Sequence, residues 1–385
     1  MRLLVVYNPV CGDGTAQAFF EEHVLPLLQK SGKAVDLLVA TQHPHHAGSV
    51  LVDFLQTHKG DDVQVVLGSG DGTLNECISA AAEFTGPRLV FALVPCGTAN
   101  ALYSTLFPPQ SEASLHHPNY RLQSVKSLLI GSSTIPLHLA ITTISSSAVR
   151  LHLLKPSPAK ISAVVVSTSL HASILKDSEA LRNEIPGLDR FKVAAQQNST
   201  KWYNSKVKLL PAPATQLVQI YDPSAQTFIT HPQSDKDDPI VDIDGPFSYF
   251  LATVNVDRLE PAFVISPLAS SIPPAEAVCD IVIVRPFRST AVSVDTPETR
   301  AAFVQTLSKV LGAAYRNGSH VNLRYDTAGE VVEDGDGLTV VEYIRCGGWE
   351  WIPDPHDEPA HYLCTDGAIS IIEYQGRAVC SVAAP

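Results

Sequence analysis

The sequence has no run of the roughly 18 to 20 apolar residues that a membrane-spanning helix needs, so any encounter with a membrane is expected at its surface. Met1 to Val10 carry one basic residue and an apolar run broken by Tyr7, Asn8 and Pro9, too short for the core of a secretory signal. Positive charge is scarce. The 27 Lys and Arg stand against 39 Asp and Glu, a formal net charge of -12, which argues against nucleic acid or a generally anionic membrane as the main partner. The seven cysteines, at 11, 77, 96, 279, 346, 364 and 380, form no CxxC pair and are odd in number. That pattern suggests neither zinc nor a disulfide framework and fits reduced thiols in a cytoplasmic protein. There is no internal repeat, no long low-complexity tract, no polybasic run and no lipidation motif.

What is present is enough apolar material for two cores: 385 residues, 45% of them hydrophobic. Up to about residue 135, short aliphatic runs alternate with helix-like stretches. Leu3 to Tyr7, Val35 to Ala40, Val63 to Leu67 and Leu89 to Val94 read as buried parallel strands. Between the first two, Thr15 to Lys30 places Phe19, His23, Val24, Leu27 and Leu28 on one helical face, with a kink expected at Pro26. From residue 136 onward the runs shorten and are separated by Pro and Ser clusters. Ile161 to Ser169, Gln216 to Tyr221, Tyr249 to Asn255, Asp280 to Val284, Thr339 to Arg345, Ile369 to Tyr374 and Arg377 to Val382 read as antiparallel strands. Two helices are expected at Asp177 to Asn183 and Glu298 to Tyr315, and an exposed loop at Ser234 to Asp238. The reading is an α/β domain over 1–135 and a mainly antiparallel β-sandwich domain over 136–385, with the site in the cleft between them.

Three glycine-rich turns carry the chemistry. In Val65 to Glu76 (VVLGSGDGTLNE) an apolar strand enters Gly68, Ser69, Gly70 and Gly72 and passes directly into a helix. Glycine lets backbone approach an anion closely, and the free N–H groups of a helix start supply donors and partial positive charge. Asp71 repels anions; it makes sense if it holds a metal or takes a proton from an acceptor hydroxyl. Alone, such a turn reads more simply as a helix cap. Val94 to Leu102 (VPCGTANAL) repeats the arrangement, and Asn8 to Thr15 (NPVCGDGT) follows the first strand. All three loops then lie at the C-terminal ends of parallel strands, where open α/β sheets bind ligands. Neither GxGxxG nor GxxxxGK[ST] occurs in them, which counts against a dinucleotide Rossmann site and a Walker P-loop.

At these residues the sequence resembles the diacylglycerol kinase catalytic domain superfamily, which includes sphingosine kinases, ceramide kinases and bacterial lipid kinases. The family's NPxxG, GGDGTxNE and PxGTxN loops stand here as Asn8, Pro9 and Gly12; as Gly68 to Glu76 with Ser69 for the second glycine; and as Pro95, Gly97, Thr98 and Asn100. Asp177, Ser178, Glu179 and Arg182, then Arg190 and Phe191, are similar to its later acidic-Ser-Glu and Arg-Phe elements. Phe263 to Ala269 and Asp280 to Pro286 look most like sphingosine kinases. The resemblance implies an ATP site formed by Asn8, Pro9, Gly12, Thr41, Gly68, Ser69, Gly70, Gly72, Thr73, Glu76, Pro95, Gly97, Thr98 and Asn100. Arg182 and Arg190 would neutralise phosphates, Asp366 would stand at the site and Asp71 would act as the catalytic carboxylate. Thr41 enters through the TxxxxHA pattern with His46 and Ala47.

Phosphoryl transfer needs positioning and charge neutralisation more than covalent chemistry. The implied reaction passes the ATP γ-phosphoryl group, with Mg²⁺ bridging phosphates, to the hydroxyl of a sphingoid base, ceramide or diacylglycerol at a membrane surface, in a cytoplasmic, peripherally associated protein. No protein metal ligands are assigned, and the oligomeric state is not read from the sequence.

Two departures bear on this. The family's V-D-G-E glutamate is Ala368, leaving Asp366 and Gly367, and Ser173 and Leu175 occupy positions that are acidic in sphingosine kinases. Ala368 leaves a non-catalytic nucleotide- or lipid-binding protein as one alternative, and the GGDGT turn that NAD kinases share leaves an NAD kinase-like enzyme as another; a phosphofructokinase-like sugar kinase is disfavoured by the β-rich second half. His43, His45 and His46 lack a convincing fourth metal ligand. Trp349 and Trp351 read as core packing rather than a lipid-touching edge.

Overall fold

The computed structural model describes residues 1–384 except 83, 85, 87, 146–157, 183 and 186–188. The chain divides into two compact units: Met1–Pro136 with the tetrapeptide Arg258–Pro261, and Leu137–Asp257 with Ala262–Pro385.

In the first unit, β1 (Arg2–Tyr7), β2 (Leu37–Ala40), β3 (Val63–Ser69) and β4 (Leu89–Pro95) form a parallel sheet in the order β2-β1-β3-β4. The sequence reads all four strands as buried, and only the two inner ones are. On the edge strand β2, Leu37 and Leu38 are exposed, and β4 is mostly half-buried, because an edge strand of so small a sheet has a neighbour on one side only.

The helix expected over 15–30 is three pieces: α1 (Ala16–Phe19), a π-helical turn (Phe20–Val24) and α2 (Leu25–Lys30). Pro26 has no N–H to give Glu22, and its ring crowds that carbonyl; the wider π turn lies directly before it. That turn drives Phe20 into the core, 5.0 Å from the Tyr7 ring, among Val5, Val24, Leu28, Val66 and Val94. The sheet's remaining connections include α3 (His46–Thr57), α4 (Asp71–Ala81) and α5 (Ala101–Leu106).

The second unit holds two antiparallel sheets. Its strands in chain order are β5 (Leu139–Ser145), β6 (Lys160–Ser162), β7 (Val165–Thr168), β8 (Ser205–Leu210), β9 (Gln219–Asp222), β10 (Thr227–Thr230), β11 (Val241–Asp244), β12 (Tyr249–Thr253) and β13 (Cys279–Val284). The short ribbon β14 (Arg324–Tyr325) and β15 (Val331–Val332) precedes β16 (Glu342–Cys346), β17 (Gly348–Pro353), β18 (Tyr362–Thr365), β19 (Ala368–Ile371) and β20 (Arg377–Ala383). One sheet runs β10-β9-β16-β13-β12-β7-β18-β19 and the other β11-β8-β17-β20-β5-β6.

Alternation along β17 sends Trp349 and Trp351 inward, where both rings pack on Phe250 of the facing sheet at 5.2 Å. Both tryptophans are fully buried, so they join the two sheets of the sandwich and do not touch lipid. The expected strand at 161–169 is broken into β6 and β7. The expected polar loop at 234–238 is exposed except for Ser234, whose hydroxyl accepts from Val218 N–H at 3.0 Å and donates to the Pro239 carbonyl at 2.8 Å.

Helix Ser169–Ala180 starts eight residues before the expected Asp177, and residue 183, the expected last one, lies outside the described residues. Helix Pro297–Ala314 begins with Thr296 and Thr299 capping each other reciprocally and proline in the first turn.

Candidate functional site

Inside the first unit, the loops after β1, β3 and β4 meet backbone to backbone. Gly12 has φ +57°, and a Cβ there would lie 2.2 Å from the Cys96 carbonyl oxygen; a Cβ on Gly97 would lie 2.4 Å from the Gly70 Cα. Only glycine fits at these two positions, because the obstacle is main chain and cannot swing away. Hydrogen bonds fasten the same seam: Asn8 N–H donates to Gly68 O at 2.9 Å and Cys96 N–H to Ser69 O at 3.2 Å. Thr41 follows β2 and reaches the neighbouring strand through its own N–H, which donates to Tyr7 O at 2.9 Å.

Each loop is also stiffened internally. Val10 N–H donates to Asn8 Oδ1 at 3.1 Å, and the Asp13 carboxylate accepts from Thr15 N–H and hydroxyl at 3.0 and 2.6 Å. Pro9 sits between them. In the third loop, which starts at Pro95, Asn100 takes a left-handed conformation (φ 52°), accepts from Gly97 N–H at 3.0 Å and donates to Gly97 O at 2.7 Å. Thr98 lies inside that closed turn. Ser69 and Thr73 share a hydrogen bond at 2.6 Å across the start of α4. Gly72 has open space where a Cβ would be. Gly48 of α3 packs against the Glu76 carbonyl, which a Cβ on Gly48 would meet at 2.9 Å.

Asp71 ties two of the loops together. In the first turn of α4, its Oδ2 accepts from Ala101 N–H at 2.7 Å and its Oδ1 from Leu102 N–H at 3.1 Å, the first N–H groups of α5. Burial pushes the carboxyl pKa up, and those donors pull against it. A narrow crevice opens here, lined by Ser69, Gly70, Asp71, Pro95 and Asn100 together with Leu67, Leu74, Leu93 and Tyr103. The last four are missing from the sequence-based list. They look like ordinary strand and helix core, and only adjacency to a glycine turn marks them.

The remaining expected site residues belong to the second unit. Arg182 is exposed and paired with Glu179 at 2.7 Å. Arg190, in the first turn of helix Asp189–Asn198, lies with its guanidinium 4.6 Å from the Phe191 ring centroid. Asp366 (φ 46°) and Gly367 (φ 92°) form the two-residue turn between β18 and β19. The Asp366 carboxylate accepts from Ala163, Val164 and Val165 N–H at 2.6 to 3.0 Å, so it clamps the break between β6 and β7. Ala368, where the resemblance expects a glutamate, is exposed at the start of β19.

The diacylglycerol kinase catalytic domain family matches residues 2–130, the segment that holds all three loops. Sphingosine kinase 2 of Homo sapiens is 32% identical over 105 residues, 26% of this chain and 15% of the human protein. Sphingosine kinase 1 of Arabidopsis thaliana is 26% identical over 218 residues, 55% of this chain and 40% of the plant protein. The chain thus spans well under half the length of these relatives.

The fold likeness runs further than the catalytic domain match. A crystal structure of a diacylglycerol kinase from Bacillus anthracis str. Sterne, 14% identical, covers 99% of this chain and 93% of that one with TM-score 0.50. A second structure from that organism covers 98% and 94% with TM-score 0.53. The likeness is to lipid kinases of the diacylglycerol and sphingosine kinase type, and no helix among the described residues is long and apolar enough to cross a membrane.

Proposed function

We propose that the protein is an ATP-dependent lipid kinase whose phosphate cradle is the seam of three glycine loops in the first unit. The observation that carries this reading is the backbone contact of Gly12 with Cys96 and of Gly70 with Gly97. It keeps side chains away from the seam at the C-terminal edge of a parallel sheet, where N–H groups can meet an anion. The ATP phosphates would lie along Asn8 to Gly12, Gly70 to Thr73 and Gly97 to Asn100. Among the described residues no group of three or more His, Cys, Asp or Glu could hold a metal. Mg²⁺ bound with the nucleotide would offset the charge of its phosphates.

Asp71 is the proposed general base. Its carboxylate oxygens each accept one N–H of α5, and burial raises its affinity for a proton. The acceptor is proposed to be a sphingoid base, with diacylglycerol and ceramide next. A wider pocket of the second unit, around Trp202, is lined by Lys201, Arg300, Asp354, Asp357 and Glu358. Its charged walls suit no acyl chain, so it is not proposed as the lipid site. A second reading, nucleotide binding without transfer, is favoured by Ala368 and by the structural engagement of Asp71.

The test is transfer of labelled phosphate from Mg-ATP to sphingosine, dihydrosphingosine, ceramide, diacylglycerol and NAD. Labelled lipid establishes the kinase and its acceptor. Label on NAD alone would replace the lipid reading, and ATP binding with no labelled product would favour the second.

A further inference from the structure

The phosphate loops carry two residues that the glycine pattern does not require, Cys11 and Cys96, and the fold brings them face to face. The Gly12 backbone presses on the Cys96 carbonyl, so residues 11 and 96 flank a main-chain contact between loops that are 85 positions apart. Cys96 is buried and Cys11 half-buried. The Cys11 thiol lies 3.0 Å from the Asn8 carbonyl, with the Cys96 sulfur and Ser69 as its polar neighbours. On its other side Cys96 receives Arg121 Nη2 at 3.1 Å, and that guanidinium is held 3.8 Å from the Phe19 ring centroid. Cys11 and Cys96 lie in the loops after β1 and β4, Ser69 ends β3, Phe19 ends α1 and Arg121 ends the helix Pro118–Arg121.

The geometry points to a redox-sensitive dithiol: oxidation by a hydroperoxide joins Cys11 to Cys96 and shuts the phosphate loops. The neighbouring Cys11 thiol and the charge of Arg121 favour the Cys96 thiolate, holding its pKa below the ordinary thiol value, while Cys11 is held high as a protonated thiol. The thiolate is the nucleophile. It attacks the O–O bond of hydrogen peroxide, giving Cys96 sulfenic acid and hydroxide. The Cys11 sulfur then displaces the sulfenic oxygen, which leaves as water with the Cys11 proton, and a disulfide forms. The two sulfurs are each oxidised by one electron and peroxide is reduced by two.

The second unit supplies the contrast. Cys279 and Cys346 are cross-strand partners with sulfurs 3.8 Å apart, yet both are fully buried, and burial without a way in protects a thiol.

A covalent bond across the seam pulls on the residue next to Gly97, whose backbone packs so closely on Gly70 that an added Cβ would lie 2.4 Å from the Gly70 Cα. This consequence rests on the nucleotide reading proposed above; formation of the bond does not. By reciprocity, bound nucleotide should shift the dithiol–disulfide equilibrium toward the reduced pair.

The experiment treats the full chain with hydrogen peroxide, maps peptides by mass without reduction and measures Mg-ATP affinity before oxidation, after it and after dithiothreitol. A linked Cys11–Cys96 peptide is expected, with affinity weakened by about tenfold or more and recovered on reduction. Cys11→Ser, compared with its own affinity before oxidation, should form no link and lose no affinity for Mg-ATP in peroxide, and Arg121→Gln should form the link more slowly. Absence of the linked peptide, or a link that leaves ATP affinity unchanged, overturns the switch. If the reduced protein shows no ATP affinity at all, the nucleotide reading falls, and the linked peptide alone then decides the thiol pairing.

Discussion

Asp71, the proposed general base, also holds two backbone N–H groups of α5. Its pKa is raised by burial, and a general base acts only when ionised. Transfer should therefore fall as pH drops through that raised pKa, with the acid limb above the 3.9 or so of an ordinary aspartate. A kcat/KM profile checks this; a limb at or below the ordinary value would remove Asp71 from the proton path. Asp71→Asn puts an amide donor against one of the α5 N–H groups, so a stability loss of about 1–3 kcal/mol is expected beside a fall in transfer of about 10²- to 10⁴-fold. Chemical unfolding read beside the transfer assay separates the two effects.

His320 gives a sharper pH signature in the second unit. It is fully buried, with Nε2 3.0 Å from the Ile265 carbonyl, a partner that makes Nε2 the protonated nitrogen. Burial pushes its pKa down to about 4 from 6.5. The unfolded chain then binds the proton first. Stability from this group is complete above about pH 6.5 and is lost as pH falls through about 4, a total of about 3 kcal/mol. Urea unfolding across that window should show the slope, and His320→Gln should flatten it. An unchanged slope would place the acid sensitivity elsewhere.

At the scale of elements, the seam of loops makes the second set of predictions. Gly97→Ala adds a methyl 2.4 Å from the Gly70 Cα, so it should abolish nucleotide binding while leaving the sheet's circular dichroism near normal. Gly72→Ala, with open space at its Cβ, should bind almost as before. ATP titration of the pair settles it; equal loss in both would mean that the loops do not act through close packing. These turns were legible in the sequence because three of them recur after strands of one βαβ series, where a single one would read as a helix cap. The strands were legible too, since period and β-branching mark β1, β3 and β13 directly.

What the sequence did not reveal is what depends on a neighbour. The exposure of β2 follows from its edge position, the π turn at Phe20–Val24 from Pro26 acting one turn upstream, and the burial of Ser234 from Val218 N–H. Asp71 and Asp366 read as site carboxylates, but their backbone donors lie 30 and about 200 residues away along the chain.

For the whole molecule, the division into two units, each with its own core, predicts two thermal transitions and not one cooperative event. Mg-ATP at about 100 times its Kd should stabilise the transition of the first unit by about 2.7 kcal/mol. His320→Gln should alter the acid behaviour of the other alone. Scanning calorimetry at pH 7 and pH 5 reads both, and a single transition moved by either change would contradict the independence of the cores.

The contacts of Gly12 with Cys96 and of Gly97 with Gly70 also constrain how such a protein can evolve. A side chain crowded by another side chain can be rescued by a second substitution that trims the neighbour. Here the neighbour is main chain, which no substitution can trim, so no compensating mutation exists. Change is left to the positions between the glycines, among them 11, 69 and 96. In a saturation library selected for ATP binding, those positions should tolerate replacement while 12 and 97 do not, leaving the cradle fixed and its chemical sensitivities free to diverge.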